Sequence, residues 1–131
     1  MKRMIEVVCG VILDSTGNVL ACQRGLDRHL GGFWEFPGGK VDTGETPEVA
    51  LKRELEEELT IDVKVVGRLE EIVEWNDGKI SIRLTGFYCT ITKGIPIANE
   101  HKEIRWCPIS ALHGLNWAEA DIPLVEEVVR G

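Results

Sequence analysis

Residues 46–59, TPEVALKRELEEEL, constrain the chain more than any other stretch, because almost every position favours one conformation. Thr46 supplies an N-cap oxygen, and Pro47 sits in the first turn, where its missing N–H costs nothing. Leu51, Leu55 and Leu59 recur every four residues and form a buried stripe. A helix is therefore expected from Thr46 to Leu59. With one apolar edge it needs a packed layer beside it, and the flanking segments read as strands.

Residues 4–13 and 19–23 are apolar and β-branched around the turn Asp14-Ser15-Thr16-Gly17-Asn18, which predicts a β-hairpin. A loop over 25–32 leads to a short strand at 33–37, ended by Pro37 and followed by Gly38-Gly39. Segments 61–74 and 79–92 flank Trp75-Asn76-Asp77-Gly78-Lys79, whose Asp-Gly is a strong hairpin signal. A loop at 93–101, a strand at 104–107, a helical turn opening at Pro108 and a closing helix over 121–130 complete the chain. No repeat, low-complexity tract or linker interrupts it. Residues 1–131 are expected to form one α+β domain, a mixed sheet covered by two helices.

The formal net charge is -7, and no cluster of lysine and arginine marks a face for polynucleotide binding. An acidic protein still binds a small phosphorylated ligand when metal ions supply the positive charge. Cys9, Cys22, Cys89 and Cys107 form no CxxC pair or Cys/His cluster and lie in apolar stretches, so they are expected to be reduced core residues. The apolar run beginning at Val7 is broken by Gly10 and Asp14; it is too short to span a bilayer and lacks a cleavage site. A cytoplasmic protein, monomer or homodimer, with no membrane or polynucleotide partner, is the expectation.

Chemistry concentrates in residues 38–61, GGKVDTGETPEVALKRELEEELTI. At roughly 100° per residue, Glu54, Glu57 and Glu58 share a face beside the leucine stripe. Carboxylates so close repel one another, and a merely solvated surface would intersperse lysines. Mg²⁺ or Mn²⁺ removes the repulsion, taking carboxylate oxygens and sharing its remaining positions with phosphate and water. Gly38-Gly39 permits close backbone approach and leaves a carbonyl available, and Lys40 is placed to meet a phosphate. Taken alone, the glutamates would read as a solvated helix face; the glycines and Lys40 turn the balance toward a metal site.

From Gly39 the spacing resembles the Nudix box: Gly39, five residues, Glu45, seven residues, then Arg53-Glu54-Leu55-Glu56-Glu57-Glu58-Leu59-Thr60-Ile61. One position departs. The family usually has glycine where Thr60 stands, ending the helix in a left-handed conformation, so Thr60 implies a somewhat different exit without loss of chemistry. The resemblance implies a Nudix-like α/β/α sandwich with a central mixed β-sheet and two main helices. It implies Glu54, Glu57 and Glu58, with the Gly38 carbonyl, as metal ligands, and Glu45 pairing with Arg53 to hold the loop against the helix, with Gly39 supporting the site. Read as residues, Arg53–Glu45 could equally be an ordinary exposed ion pair worth under about 1 kcal/mol.

The likeness extends over nearly the whole chain toward the MutT-like branch and CTP pyrophosphohydrolase, through Gln23-Arg24, Trp34-Glu35-Phe36-Pro37-Gly38-Gly39-Lys40, Asn99-Glu100-His101, Trp106 and Ala120-Asp121-Ile122-Pro123. It implies hydrolysis of a nucleoside triphosphate to a monophosphate and pyrophosphate, by attack of water on the β-phosphorus. Arg24 and Lys40 would then meet phosphates, Glu35, Phe36 and Pro37 would line the substrate, and Asp121 would read the base edge. Glu100 would be a further metal ligand or the base that activates water, acting with Arg53, Glu54 and Glu57. His29, in a polar loop, is a candidate substrate contact. Duller roles stand beside these: a surface charge for Arg24 and Glu100, core for Phe36, a solvated histidine for His29, an N-cap for Asp121.

Branch members with an amide at the position of Asp121 suit a guanine-type edge; an ionised aspartate only accepts hydrogen bonds. Oxidised substrates such as 8-oxo-dGTP, with a protonated carboxyl, and CTP-type substrates both fit. Hydrolysis of ADP-ribose or a dinucleoside polyphosphate fits less well, since the chain has no insertion to hold a second large moiety. A non-catalytic nucleotide-binding module would typically have lost a box carboxylate, and Glu54, Glu57 and Glu58 are all present.

Overall fold

Strand β1 (Arg3–Ile12) has both of its edges occupied, and that organises the fold. The computed structural model describes residues 3–76 and 78–131, without the side chain of Arg3. After β1 come β2 (Asn18–Gln23), β3 (Trp34–Glu35), β4 (Gly38–Lys40), helix α1 (Pro47–Leu59), β5 (Asp62–Asn76), β6 (Ile80–Lys93) and β7 (Glu103–Pro108). Two 3-10 turns, Ile109–Gly114 and Glu119–Asp121, lead into α2 (Ile122–Arg130). The strands divide into a mixed four-stranded sheet, β4-β1-β6-β5, and an antiparallel three-stranded sheet, β3-β2-β7.

The expected hairpin between β1 and β2 does not form as a pair. Its turn is made: Asp14 accepts the N–H groups of Thr16 and Asn18, each at 2.9 Å, and one bridge joins Leu13 to Val19. The strands then part, because β1 runs antiparallel to β4 on one edge and parallel to β6 on the other. A strand has only two hydrogen-bonding edges. The β5–β6 hairpin does form, with antiparallel register from Asp62↔Lys93 to Asn76↔Ser81; Asp77 of its turn lies outside the described residues.

The two-residue period of β1 sends Val8 and Ile12 to one face and Cys9 and Val11 to the other. The first face packs under α1, where Leu51, Leu55 and Leu59 are all fully buried; the second belongs to the core that includes Leu124, Val125 and Val128 of α2. Layers therefore stack α/β/α, as expected. A register shift in β5 between Arg68 and Ile72 frees two N–H groups, which α2 satisfies: Glu127 accepts from Glu70 and Glu71 at 2.8 and 2.7 Å. All four cysteines are free and buried. Among the described residues, no helix is long and apolar enough to cross a membrane.

Candidate functional site

The site begins where α1 meets β4. Thr46 Oγ1 accepts the Val49 N–H at 3.2 Å and Pro47 opens the helix, as its sequence demands. In the β1–β4 ladder, Gly10 N–H donates to Pro37 O and Val41 N–H to Glu6 O. Antiparallel pairs alternate, so Gly38 and Lys40 fall in the non-hydrogen-bonded pairs and their carbonyls leave the ladder on the outer edge of β4. Lys40 O duly accepts from Arg53 of α1 at 3.1 Å. Both glycines are required. A Cβ on Gly38 would strike Val8 O, and one on Gly39 would run into the Glu54 carboxyl.

At the far end of α1, Thr60 corrects the expectation of an altered exit. It adopts the left-handed conformation itself, φ 58° and ψ 40°, and its N–H caps Glu56 O at 2.9 Å. Its hydroxyl donates to Leu59 O at 2.6 Å. A β-branched residue is strained there, and the capping bonds hold it.

Arg53 is the hub of the exposed side. Its Nε and Nη2 grip Glu45 at 2.8 and 2.9 Å, and Nη1 donates to Glu54 at 2.9 Å. Glu57 stands 3.5 Å from Nη1 with more than half of its side chain in solvent. The Arg53 guanidinium and the Asp42 N–H bring the Glu45 carboxyl down to about 2.

Glu58, four residues beyond Glu54, is buried. Burial, with Glu35, Glu54 and Glu100 close by, drives its carboxyl well above the usual range, and Oε2 has no hydrogen-bond partner. Facing it is His101, whose side chain is wholly buried; Nε2 lies 2.9 Å from Glu35 Oε2 and 3.7 Å from Glu58 Oε1. Glu35 gives its other oxygen to Arg24 at 2.6 Å. Burial pushes the Glu35 carboxyl up, but His101 and Arg24 together leave it below its ordinary value. Among the described residues, no three His, Cys, Asp or Glu side chains converge as a ready-made metal cage. The donors nevertheless fit a hard cation that shares its coordination with phosphate and water: an unpartnered buried carboxylate oxygen on Glu58, Glu54 against Gly39, and the outward Gly38 carbonyl.

A cavity of about 700 Å³ opens beside this edge, a size suited to a nucleotide. Of the residues singled out from the sequence, Arg24, His29, Glu35, Phe36, Gly38, Gly39, Lys40, Glu54, Glu58, Glu100 and Asp121 line it. Arg53, Glu45 and Glu57 do not line it; Arg53 links Glu45 to Glu54, and Glu57 lies beside the Arg53 guanidinium. Pro37 requires a correction. It is buried beside β1, with its carbonyl bound to Gly10, and does not line the cavity. Phe36 is buried, its ring 4.8 Å from that of Trp117 and tilted against it, and it also lines the cavity. Asp121 occupies the N-cap position of α2 without capping it; its Oδ2 accepts the Phe36 N–H at 2.9 Å. Burial raises its carboxyl to about 7, against the pull of that N–H and with Glu35 adding to the rise.

Sequence reasoning missed Arg28, His101 and the apolar floor. Arg28 lines the cavity with no ion pair found for it among the described residues, unlike Arg24, which is spent on Glu35 and on the His29 carbonyl at 2.7 Å. The floor is Val7, Cys9, Leu84, Ile82 and Trp75, joined through the pairings Val7↔Leu84 and Trp75↔Ile82. Alternation within β1 and β6 hinted at these faces, but the parallel pairing that makes them neighbours has no local signal.

The sequence matches the NUDIX domain family over residues 3–128. An 8-oxo-dGTP diphosphatase of Proteus vulgaris is 56% identical over 62 residues, 47% of this chain and 55% of that protein. The CTP pyrophosphohydrolase of Escherichia coli strain K12 is 37% identical over 124 residues, 95% of this chain and 90% of that one. The fold is similar to the solution NMR structure of a DNA mismatch repair protein MutT, of the Nudix hydrolase family, from methicillin-resistant Staphylococcus aureus 252. There the TM-score is 0.80, with 40% identity over 99% of this chain and 98% of that one.

Proposed function

This chain belongs to the NUDIX family, and from that premise we propose that it hydrolyses nucleoside triphosphates to a nucleoside monophosphate and pyrophosphate, as a MutT-like enzyme. One observation supports this above the rest: a single helix edge carries both an Arg53-anchored Glu54 pressed on Gly39 and a buried Glu58 with one unpartnered oxygen, at the wall of a nucleotide-sized cavity. NUDIX hydrolases generally need a divalent metal. Here Glu54, Glu58 and the Gly38 carbonyl would hold it, with Glu57 as a further donor, and Mg²⁺ is the proposed ion, with Mn²⁺ as substitute. When bound, it neutralises phosphate charge and lowers the pKa of water.

The protein's own groups divide the remaining work. The cavity holds more carboxyl groups than cations, so Arg28 and Lys40, for which no ion pair is found among the described residues, meet the phosphates. Glu100 accepts the proton of the attacking water, whose oxygen bonds the β-phosphorus as the bridging oxygen leaves with the monophosphate. Arg53 holds Glu54 in register. Phe36 and Trp75 wall the base, and Asp121 reads its edge.

The carboxyl of Asp121, raised to about 7, selects the base. With Oδ2 occupied by the Phe36 N–H, a protonated carboxyl still donates one hydrogen bond, which suits an oxidised purine such as that of 8-oxo-dGTP. Such an enzyme would clear damaged precursors ahead of DNA synthesis. Ionised, the same group accepts from the exocyclic amine of cytosine, a CTP-type reading. Turnover of a panel of canonical and oxidised dNTPs and NTPs with Mg²⁺, with products separated by ion chromatography, decides between them. Pyrophosphate and a monophosphate are expected, with kcat/KM greatest for the oxidised purine. Orthophosphate as the product, or turnover unaffected by a chelator, would refute the proposal.

A further inference from the structure

We propose that His101 is a positioning residue that holds Glu58 and Glu35 at a set separation, so that the acidic edge of α1 and the Arg24 wall of the cavity behave as one unit. The inference rests on the divalent-metal reading given above.

The loop carrying His101 is pinned at both ends. Ile97 N–H and Asn99 N–H donate to Leu59 O and Glu58 O at 3.0 and 3.2 Å, satisfying carbonyls that the last turn of α1 leaves open. On the other side, Lys102 N–H donates to Gln23 O of β2 at 2.9 Å. Between these anchors the imidazole is wholly buried, with Nδ1 lacking any partner. An apolar side chain would fill that space without an orphaned nitrogen, so the imidazole must do something an apolar group cannot. Its Nε2 faces two carboxylates, Glu35 Oε2 at 2.9 Å and Glu58 Oε1 at 3.7 Å. Glu35, held also by Arg24, only accepts when ionised, which places the proton on Nε2. That N–H is bonded to Glu35 and stands 3.7 Å from Glu58 Oε1, so the imidazole spaces the two side chains and sets where Glu58 points its unpartnered Oε2. Through Glu35 the chain of contacts continues to Arg24 at the cavity wall.

The test compares His101→Leu, similar in bulk but without a donor, with His101→Gln, whose amide nitrogen reaches the place of Nε2. Mn²⁺ binding is measured by calorimetry without nucleotide, alongside kcat, KM and Tm. The leucine variant is expected to bind Mn²⁺ about 10- to 100-fold more weakly and to lose kcat by a similar factor. Its KM should hardly move, and the glutamine variant should retain most of both properties. If the leucine variant does not fold, His101→Asn, too short to reach the acids, takes its place with the same expected loss. Parent-like Mn²⁺ affinity in the donor-less variant, or an equal loss in the glutamine variant, overturns the positioning role alone. A parent protein that binds no Mn²⁺ overturns the metal site and this inference together.

Discussion

Glu54 and Glu58 lie about one helical turn apart on α1, yet an arginine holds the one and burial surrounds the other. Glu54 belongs to the outer cluster, where Arg53 holds it and Glu45 through direct hydrogen bonds. Glu58 belongs to the inner cluster, where burial and neighbouring acids disfavour its anion and one oxygen has no partner. The outer cluster already pairs its acids with Arg53, which holds Glu54 where the proposed metal would meet it. The inner one carries the unpartnered oxygen that the proposed cation would meet, so in that reading one helix is both scaffold and binding edge.

The largest expected effect comes from removing the inner charge. Glu58→Gln should lower kcat by roughly 10²- to 10⁴-fold while raising Tm of the metal-free protein at pH 8, read by steady-state kinetics and thermal melts in chelator. The sign follows from linkage. The folded-state pKa of Glu58 is raised, so its contribution to metal-free stability is full below the ordinary value of 4.5 and is lost as pH rises through the folded value. Asp121 acts in the same direction, from 3.8 up to about 7. Glu45, depressed to about 2, contributes above 4.5 and loses its contribution only as pH falls toward 2. Metal-free melts should therefore decline from pH 5 to pH 9 in the parent and decline less in Glu58→Gln; a flat parent profile would break the contrast.

Arg53→Gln attacks the outer cluster. It should cost about 10- to 100-fold in kcat, as for loss of a group that orients a ligand, with a modest fall in Tm; an unchanged kcat would reduce Arg53 to an ordinary surface pair. Arg28→Ala sharpens the comparison from the cation side. Removing a charge-assisted phosphate contact of about 1.5 to 3 kcal/mol should raise KM by roughly 10- to 100-fold with kcat nearly constant. The smallest effect is at the helix exit, where Thr60→Gly should stabilise the fold by about 1 kcal/mol, seen in urea melts, by relieving a left-handed threonine. Destabilisation there would mean that the Thr60 hydroxyl bond to Leu59 O outweighs the backbone strain.

The outer cluster is legible in the sequence because its parts are close together along the chain. Arg53 reaches Glu45 and Glu54 across less than a dozen residues, and the cap, the proline and the leucine stripe of α1 are local signals that the fold repeats unchanged. The β5–β6 hairpin is legible for the same reason. The inner cluster is not. Glu35, Glu58 and His101 come from β3, α1 and the loop before β7, and nothing in the short-range pattern says that one imidazole stands between two of those acids. Arg24 shows the same limit: its charge is visible in the sequence, its commitment to Glu35 is not.

By itself, the order of amino acids determined the helix, its N-cap, the acidic edge and the two glycines that let a backbone approach it, since each depends on neighbours a few residues away. Only tertiary structure decided that β1 would leave β2 and pair with β4 and β6, that Val7 and Leu84 would share a cavity floor, and which glutamate would be starved of partners. The physical reason is that strand edges are interchangeable along the chain, and burial, which sets the cost of a charge, belongs to the packed whole.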